Sequence, residues 1–342
     1  MTVFNVLWFF LIFVLILGYF ILDGFDLGAG VLSQFIAKDE REKAMVRASL
    51  GPVWDGNEVW LLTAGGALFA AFPFAYATTF SGFYLAVMLV LFGLILRAIS
   101  IEYAGRDREL AGIWNILFFI GSLLPALLLG VAVGCCFQGI PMDIDGNYSG
   151  IPLFGLLSPF TLLCGIFGLC LMLLQGAGWL ALKIPEGTGL YERASNLRKP
   201  LVIANIVLFA VLTFFVAGSI GQMDPALAVV RYAAASLFAA AILASLYFAG
   251  QGTGSELKAF LCSSAALAFI IVLLACSMFP NLVVASPDSV GPTLTLMNAC
   301  ATDTSLFYMT IIAGIGVPLV LVYHFLVYRI FRGKVRESDL EY

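Results

Sequence analysis

Nine apolar runs, each near or above the length that crosses a bilayer, constrain this chain more than any other feature. A hydrocarbon core about 30 Å thick takes about 20 apolar helical residues. By that measure the spans fall near 5–36, 54–72, 79–103, 112–137, 154–182, 200–221, 227–250, 259–280 and 304–331. Of 342 residues, 62% are hydrophobic and 11% charged, and mean hydropathy is +1.03. No soluble domain could hide that much apolar surface, so lipid is its solvent. The expected fold is all-α: a polytopic membrane protein of nine transmembrane helices. The first run is too long for a signal peptide and lacks a basic start and a cleavage site, so it reads as a retained span. The first and last spans are long enough to tilt or project, and Pro125 and Pro318 should kink theirs.

Basic residues set the orientation. Lys38, Arg41, Lys43 and Arg47 lie between spans one and two; Arg97, Arg106 and Arg108 lie at or after the end of span three. Lys183, Arg193, Arg198 and Lys199 follow span five, Lys258 precedes span eight, and Arg329, Arg332, Lys334 and Arg336 close the chain. With nine spans all of these share one side, leaving Arg231 for the other. The positive-inside rule then puts the N-terminus outside and the C-terminus in the cytoplasm. Residues 138–153 and 281–303 become outer loops, the second able to fold over the protein or touch a partner. The whole of 1–342 reads as one integral membrane domain. A first four-helix unit over 1–137, a second over 154–280 and a ninth helix at 304–331 are its expected subdivision.

The chemistry concentrates in the first three spans. Asp23 and Asp26 are three apart and so share a helix face, as do Asp55 and Glu58. Gly24 and Gly28 form a small-residue contact surface on span one. Span three brings Arg97 and Glu102 to the same depth. Ionised carboxylates beside hydrocarbon are expensive and must face protein, water or a cation. The plain alternative is that Arg97 only neutralises an acid and pins helices together. Acids in this excess over bases point instead to a proton or ion route, with some carboxyls protonated or sharing a proton. Trp54 and Trp60 flank Asp55 and Glu58.

Other chemistries find no support. The net charge of −4 comes without a basic patch, so no nucleic acid is expected. The seven cysteines show no metal-ligand spacing and read as buried apolar residues, although Cys135 or Cys136 could reach Cys300. No phosphate loop, dinucleotide fingerprint, zinc-protease motif or serine elbow is present. His324 is the one histidine and reads as a hydrogen-bonded packing residue. A chain holding several hemes alone would need more axial ligands, so no metal or heme is expected on this chain. Buried acids also suit a proton-coupled secondary transporter, but these acids gather toward one face instead of the midplane.

With those residues in view, the chain resembles subunit II of cytochrome bd-type quinol oxidases. The likeness rests on DGFDLGAG at 23–30 and PVWDGNEVWLLTAGGALFAAFP at 52–73. RAISIEY at 97–103, QGAG at 175–178 and TLTLMNA at 293–299 support it. The resemblance implies a nine-helix subunit in the bacterial cytoplasmic (inner) membrane, paired in a heterodimer with subunit I. That partner holds heme b and heme d, or heme b only in the cyanide-insensitive branch, together with the quinol site. The complex oxidises quinol and reduces oxygen to water, electrogenically and without pumping. Small single-helix subunits and a structural quinone also occur in the family. By the same resemblance Asp23, Asp26, Asp55 and Arg97 match positions that line a proton route or a structural quinone site, Glu102 sits near the route's cytoplasmic mouth, and Glu58 is at a position that varies in the family. Trp60, with Trp54 beside it, matches a position near an oxygen path.

Overall fold

The computed structural model describes residues 2–107, 109–218 and 224–341. Arg108 and the expected end of span six at 219–221 lie outside the described residues. Among the described residues, eight helices are long and apolar enough to cross a membrane. They are α1 (Val3–Ile36), α5 (Tyr84–Tyr103), α6 (Ala111–Gln138), α7 (Pro159–Lys183), α8 (Gly189–Val216), α9 (Ala228–Ala249), α10 (Glu256–Met278) and α11 (Asp303–Ile330). Three shorter helices complete the first half: α2 (Glu40–Leu50), α3 (Trp54–Ala71) and α4 (Pro73–Gly82). Expected span two is thus present as α3, an 18-residue helix. It falls short of a spanning composition because Asp55, Asn57 and Glu58 crowd its first turns.

Three expected boundaries move, each for a local reason. Span five starts at Pro159, not 154, because the Ser158 side chain accepts from the Thr161 amide and caps α7. Span three does not run from 79. Phe72 leaves the helical region (φ −134°, ψ 65°) ahead of Pro73, which starts α4. Phe83 (φ −94°, ψ 15°) then separates α4 from α5. The sixth span begins before 200, because the Thr188 side chain accepts from the Tyr191 amide and starts α8 at Gly189. The charged segment after α7 is therefore helical, and α8 continues through Pro200. Pro125 and Pro318 lie inside α6 and α11.

α1 is the axial element. Every residue from Asp23 to Ser33 is buried, so this stretch is enclosed on all faces. It packs on α3, α6, α7 and α10. The closest approach is to α7, at glycines on both sides. A Cβ on Gly28 would lie 1.8 Å from the Met172 carbonyl oxygen, and one on Gly176 would lie 2.3 Å from the Ala29 amide nitrogen. Here the small-residue surface of span one meets the QGAG segment of α7.

The basic residues other than Arg231 gather at one end of the bundle. There α2 buries Met45, Val46 and Leu50 against Ile36, Trp179, Leu180 and Ile184. The chain after α11 returns to the same end, where the Val335 amide donates to the Lys183 carbonyl at 2.9 Å. At the other end the two long loops interlock. The Ile140 amide donates to the Val284 carbonyl at 3.0 Å, and the Ser286 amide donates to the Ile140 carbonyl at 2.9 Å. Strands β1 (Asn281–Val283) and β2 (Leu294–Thr295) pair antiparallel within the second loop. All seven cysteines, Cys135, Cys136 and Cys300 among them, are free thiols.

Candidate functional site

The sequence places Asp23 and Asp26 on the enclosed part of α1, so neither carboxylate can reach water on its own. Asp23, Asp26 and Arg97 are all fully buried. Arg97, from α5, donates through Nη2 to Asp23 Oδ1 at 2.6 Å and also to the Glu58 carboxylate of α3. Glu58 keeps 24% of its side chain exposed, so it forms the open edge of the cluster. α1, α3 and α5 therefore converge on one guanidinium, and two carboxyl groups share a single cation.

Asp26 is held differently. Asn57 Nδ2 donates to Asp26 Oδ2 at 2.7 Å and to the Leu22 carbonyl at 3.2 Å. The Tyr328 hydroxyl of α11 donates in turn to Asn57 Oδ1 at 2.8 Å. Among the described residues, several buried polar atoms have no protein partner: Asp23 Oδ2, Asp26 Oδ1, Arg97 Nε and Nη1, and the Tyr19 hydroxyl. An apolar interior usually satisfies such groups. Their concentration here leaves hydrogen-bonding capacity around both aspartates.

Two expected members stand apart. Asp55 is exposed on α3 and forms no hydrogen bond among the described residues. Glu102 is exposed at the end of α5, in the wall of a cavity at the basic end. Trp54 is partly buried against the apolar cluster that includes Phe25 and Trp179. Trp60 is buried, its ring lying where Gly18 has no side chain; a Cβ there would come within 2.1 Å of Trp60 Cε3. Trp60 Nε1 donates to His324 Nε2 at 3.2 Å. An indole N–H only donates, so Nε2 accepts and Nδ1 carries the ring proton, directed at the Val320 carbonyl 2.9 Å away.

Asn57, Tyr19 and Tyr328 belong to the cluster although their uncharged side chains give no sign of it in the sequence. The spacing offered one signal, since Tyr19 stands four residues before Asp23 on the same face. Among the described residues, no three His, Cys, Asp or Glu side chains stand close enough to hold a metal ion.

Fold and cluster together define an integral membrane protein built of apolar helices around a buried group of acids and one arginine. A family profile described as Cytochrome bd terminal oxidase subunit II matches residues 4–331. The chain belongs to that family, and it is a subunit of a cytochrome bd-type quinol oxidase complex, an oxidoreductase of the respiratory chain. It is 34% identical over 367 residues to the Cytochrome bd-I ubiquinol oxidase subunit 2 of Escherichia coli (strain K12), covering 98% of this chain and 96% of that relative. It is 33% identical over 350 residues to the Cytochrome bd ubiquinol oxidase subunit 2 of Bacillus subtilis (strain 168), with 97% of each covered. A solved bd oxidase from Geobacillus thermodenitrificans shares the fold at TM-score 0.78 and 15% identity, covering 96% of this chain and 99% of that one.

Proposed function

We propose that this chain delivers protons from the basic, cytoplasmic side toward an oxygen-reducing center held by its partner, subunit I. The observation that carries this reading is the buried junction of Asp23, Glu58 and Arg97. Glu58 reaches the open face of α3, while Asp23 and Asp26 lie behind it within α1. A proton taken up at Glu58 passes to Asp23 across the shared guanidinium, whose charge keeps the vacated carboxylate stable in a dry interior. Asp23 is the deepest acid of the route, and Asp26, with Asn57 and Tyr328, stands about one turn nearer the cytoplasmic side. Asp55 and Glu102 are the exposed acids that collect protons ahead of Glu58. α3 serves as the second of nine spans, with the N-terminus outside and the complex in the bacterial inner membrane. The chain keeps the two four-helix units of 1–137 and 154–280, with 304–331 as the ninth helix.

The chain leaves heme to its partner. Both ring nitrogens of its one histidine are committed, Nε2 to Trp60 and Nδ1 to Val320, so His324 has no free lone pair for iron. Heme b and heme d, or heme b alone, then reside in subunit I and supply the electron transfer to oxygen. Trp60, packed against α1, lines the path by which oxygen reaches that center. An apolar cavity of about 340 Å³ among α6 to α10, with Arg231 and Tyr232 at its wall, has room for part of a structural quinone. Quinol and oxygen are substrates of the complex, to which small single-helix subunits attach.

The test is a two-subunit complex carrying Glu58→Gln. Oxygen consumption with a quinol should fall while the heme spectrum of the complex stays unchanged. Unaltered turnover, together with unaltered proton uptake on reduction, would sink the proton-delivery role. A purified chain that shows its own heme absorbance would sink the division of labour.

A further inference from the structure

A cavity of about 330 Å³ lies at the basic end of the bundle, beneath the segment that follows α11. α2, the turn into α3, the ends of α5 and α7, and the C-terminal segment wall it. Arg47 and Lys183 line it, each only 7% exposed. Neither has a carboxylate within ion-pair distance among the described residues. Arg47 Nη1 donates to Asn115 Oδ1 at 2.8 Å, which uses one of five guanidinium donors. Lys183 Nζ donates to the carbonyls of Phe331 and Gly333, which leaves one of its three N–H groups. Arg336 is exposed and lines the same cavity from the C-terminal segment.

The acids in the wall do not neutralise this set. Asp339 is engaged locally, accepting from the Arg336 amide at 2.8 Å and from the Ser338 hydroxyl at 3.3 Å. Glu102 is exposed to solvent. Arg47 reaches the Glu40 carboxylate only through Asn115, and two cations withdrawn from water with no carboxylate in direct contact are costly unless an anion joins them. An anion with several oxygens, matched to the arginine fork, is the natural complement.

We propose that this cavity binds a phosphate group, with Arg47, Lys183 and Arg336 as its donors. The volume suits a phosphate carrying a small substituent such as glycerol. Bound there, the group joins α2, the end of α7 and the C-terminal segment, and so fixes the segment over the mouth beside Glu102. A phosphate ester in solution and the headgroup of an anionic phospholipid share this chemistry.

Amide hydrogen exchange across 331–341, in the purified two-subunit complex, separates them. Glycerol phosphate is added to delipidated complex at constant ionic strength. In parallel, nanodiscs of phosphatidylcholine alone are compared with nanodiscs containing phosphatidylglycerol. Exchange should slow by about tenfold at ten times the dissociation constant. Protection by glycerol phosphate assigns a soluble ligand, and protection only by phosphatidylglycerol assigns a lipid headgroup. Arg47→Gln should abolish the protection, whereas Arg332→Gln, exposed and outside the cavity, should retain it. Arg336→Gln serves the same purpose if Arg47→Gln complex is not recovered. No protection by either source, equal protection by sodium chloride, or undiminished protection in both cavity variants overturns the proposal.

Discussion

Arg97 and Asp23 meet at 2.6 Å with neither side chain touching solvent. Such a pair owes its persistence to completeness, because removing one partner strands the other in a dry interior. Arg97→Met should therefore cost about 3–5 kcal/mol and lower the yield and thermal midpoint of the complex. Asp23→Asn should cost less, since Glu58 still faces the guanidinium. Thermal unfolding of the two variants, side by side, checks the order.

Glu58 differs from Asp23 in being partly open, and its replacement leaves no carboxylate without a cation. Glu58→Gln should assemble normally yet slow oxygen consumption by about tenfold, or ~1.4 kcal/mol on the barrier. Asp55→Asn should also assemble normally, because Asp55 forms no hydrogen bond among the described residues. Its effect on turnover should be smaller than that of Glu58→Gln. An oxygen electrode and a heme spectrum on each variant decide this.

The crossing of α1 and α7 has no spare room. Gly28→Ala would place a methyl group 1.8 Å from the Met172 carbonyl oxygen. Overpacking of this kind costs about 1–3 kcal/mol. Gly112→Ala, at the start of α6, meets nothing within 4 Å and should be neutral or slightly stabilising. Thermal midpoints of the two variants provide the comparison.

Glu40 gives the basic end a pH dependence. Burial works against its charge, but hydrogen bonds from Asn115 and Lys43 prevail and hold the carboxyl below its usual range. A group whose folded pKa is depressed stabilises the fold above its unfolded value and loses that contribution as pH falls through the folded one. Acidification below about pH 4 should thus loosen α2 from α6, modestly, because much of the side chain is in water. Glu40→Gln should remove that acid-dependent step. Hydrogen exchange of α2 amides against pH measures it.

Much of this architecture could be read from apolar run length alone, because each long run had to become a helix in lipid. Boundaries were less legible where a proline or cap decided them, as at Pro73 and Thr188. The cluster was half legible. Charge spacing brought forward Asp23, Asp26, Glu58 and Arg97, which do converge. It also grouped Asp55 and Glu102 with them, and these lie apart. About 200° of helix rotation separates Asp55 from Asn57, so burying Asn57 against Asp26 turns Asp55 outward. Asn57 itself carries no charge and draws no notice until its amide is seen between Asp26 and Tyr328. The Trp60–His324 bond joins α3 to α11 across most of the sequence, a distance no local pattern spans.

The enclosed middle of α1 bears on how the protein is made. Its two aspartates leave the ribosome before α3 and α5, so they enter the translocon without Asn57, Glu58 or Arg97. Each ionised acid carried into the bilayer then costs up to about 3 kcal/mol. Biogenesis must hold this first helix in a protected groove, or keep its acids protonated, until the fifth helix emerges.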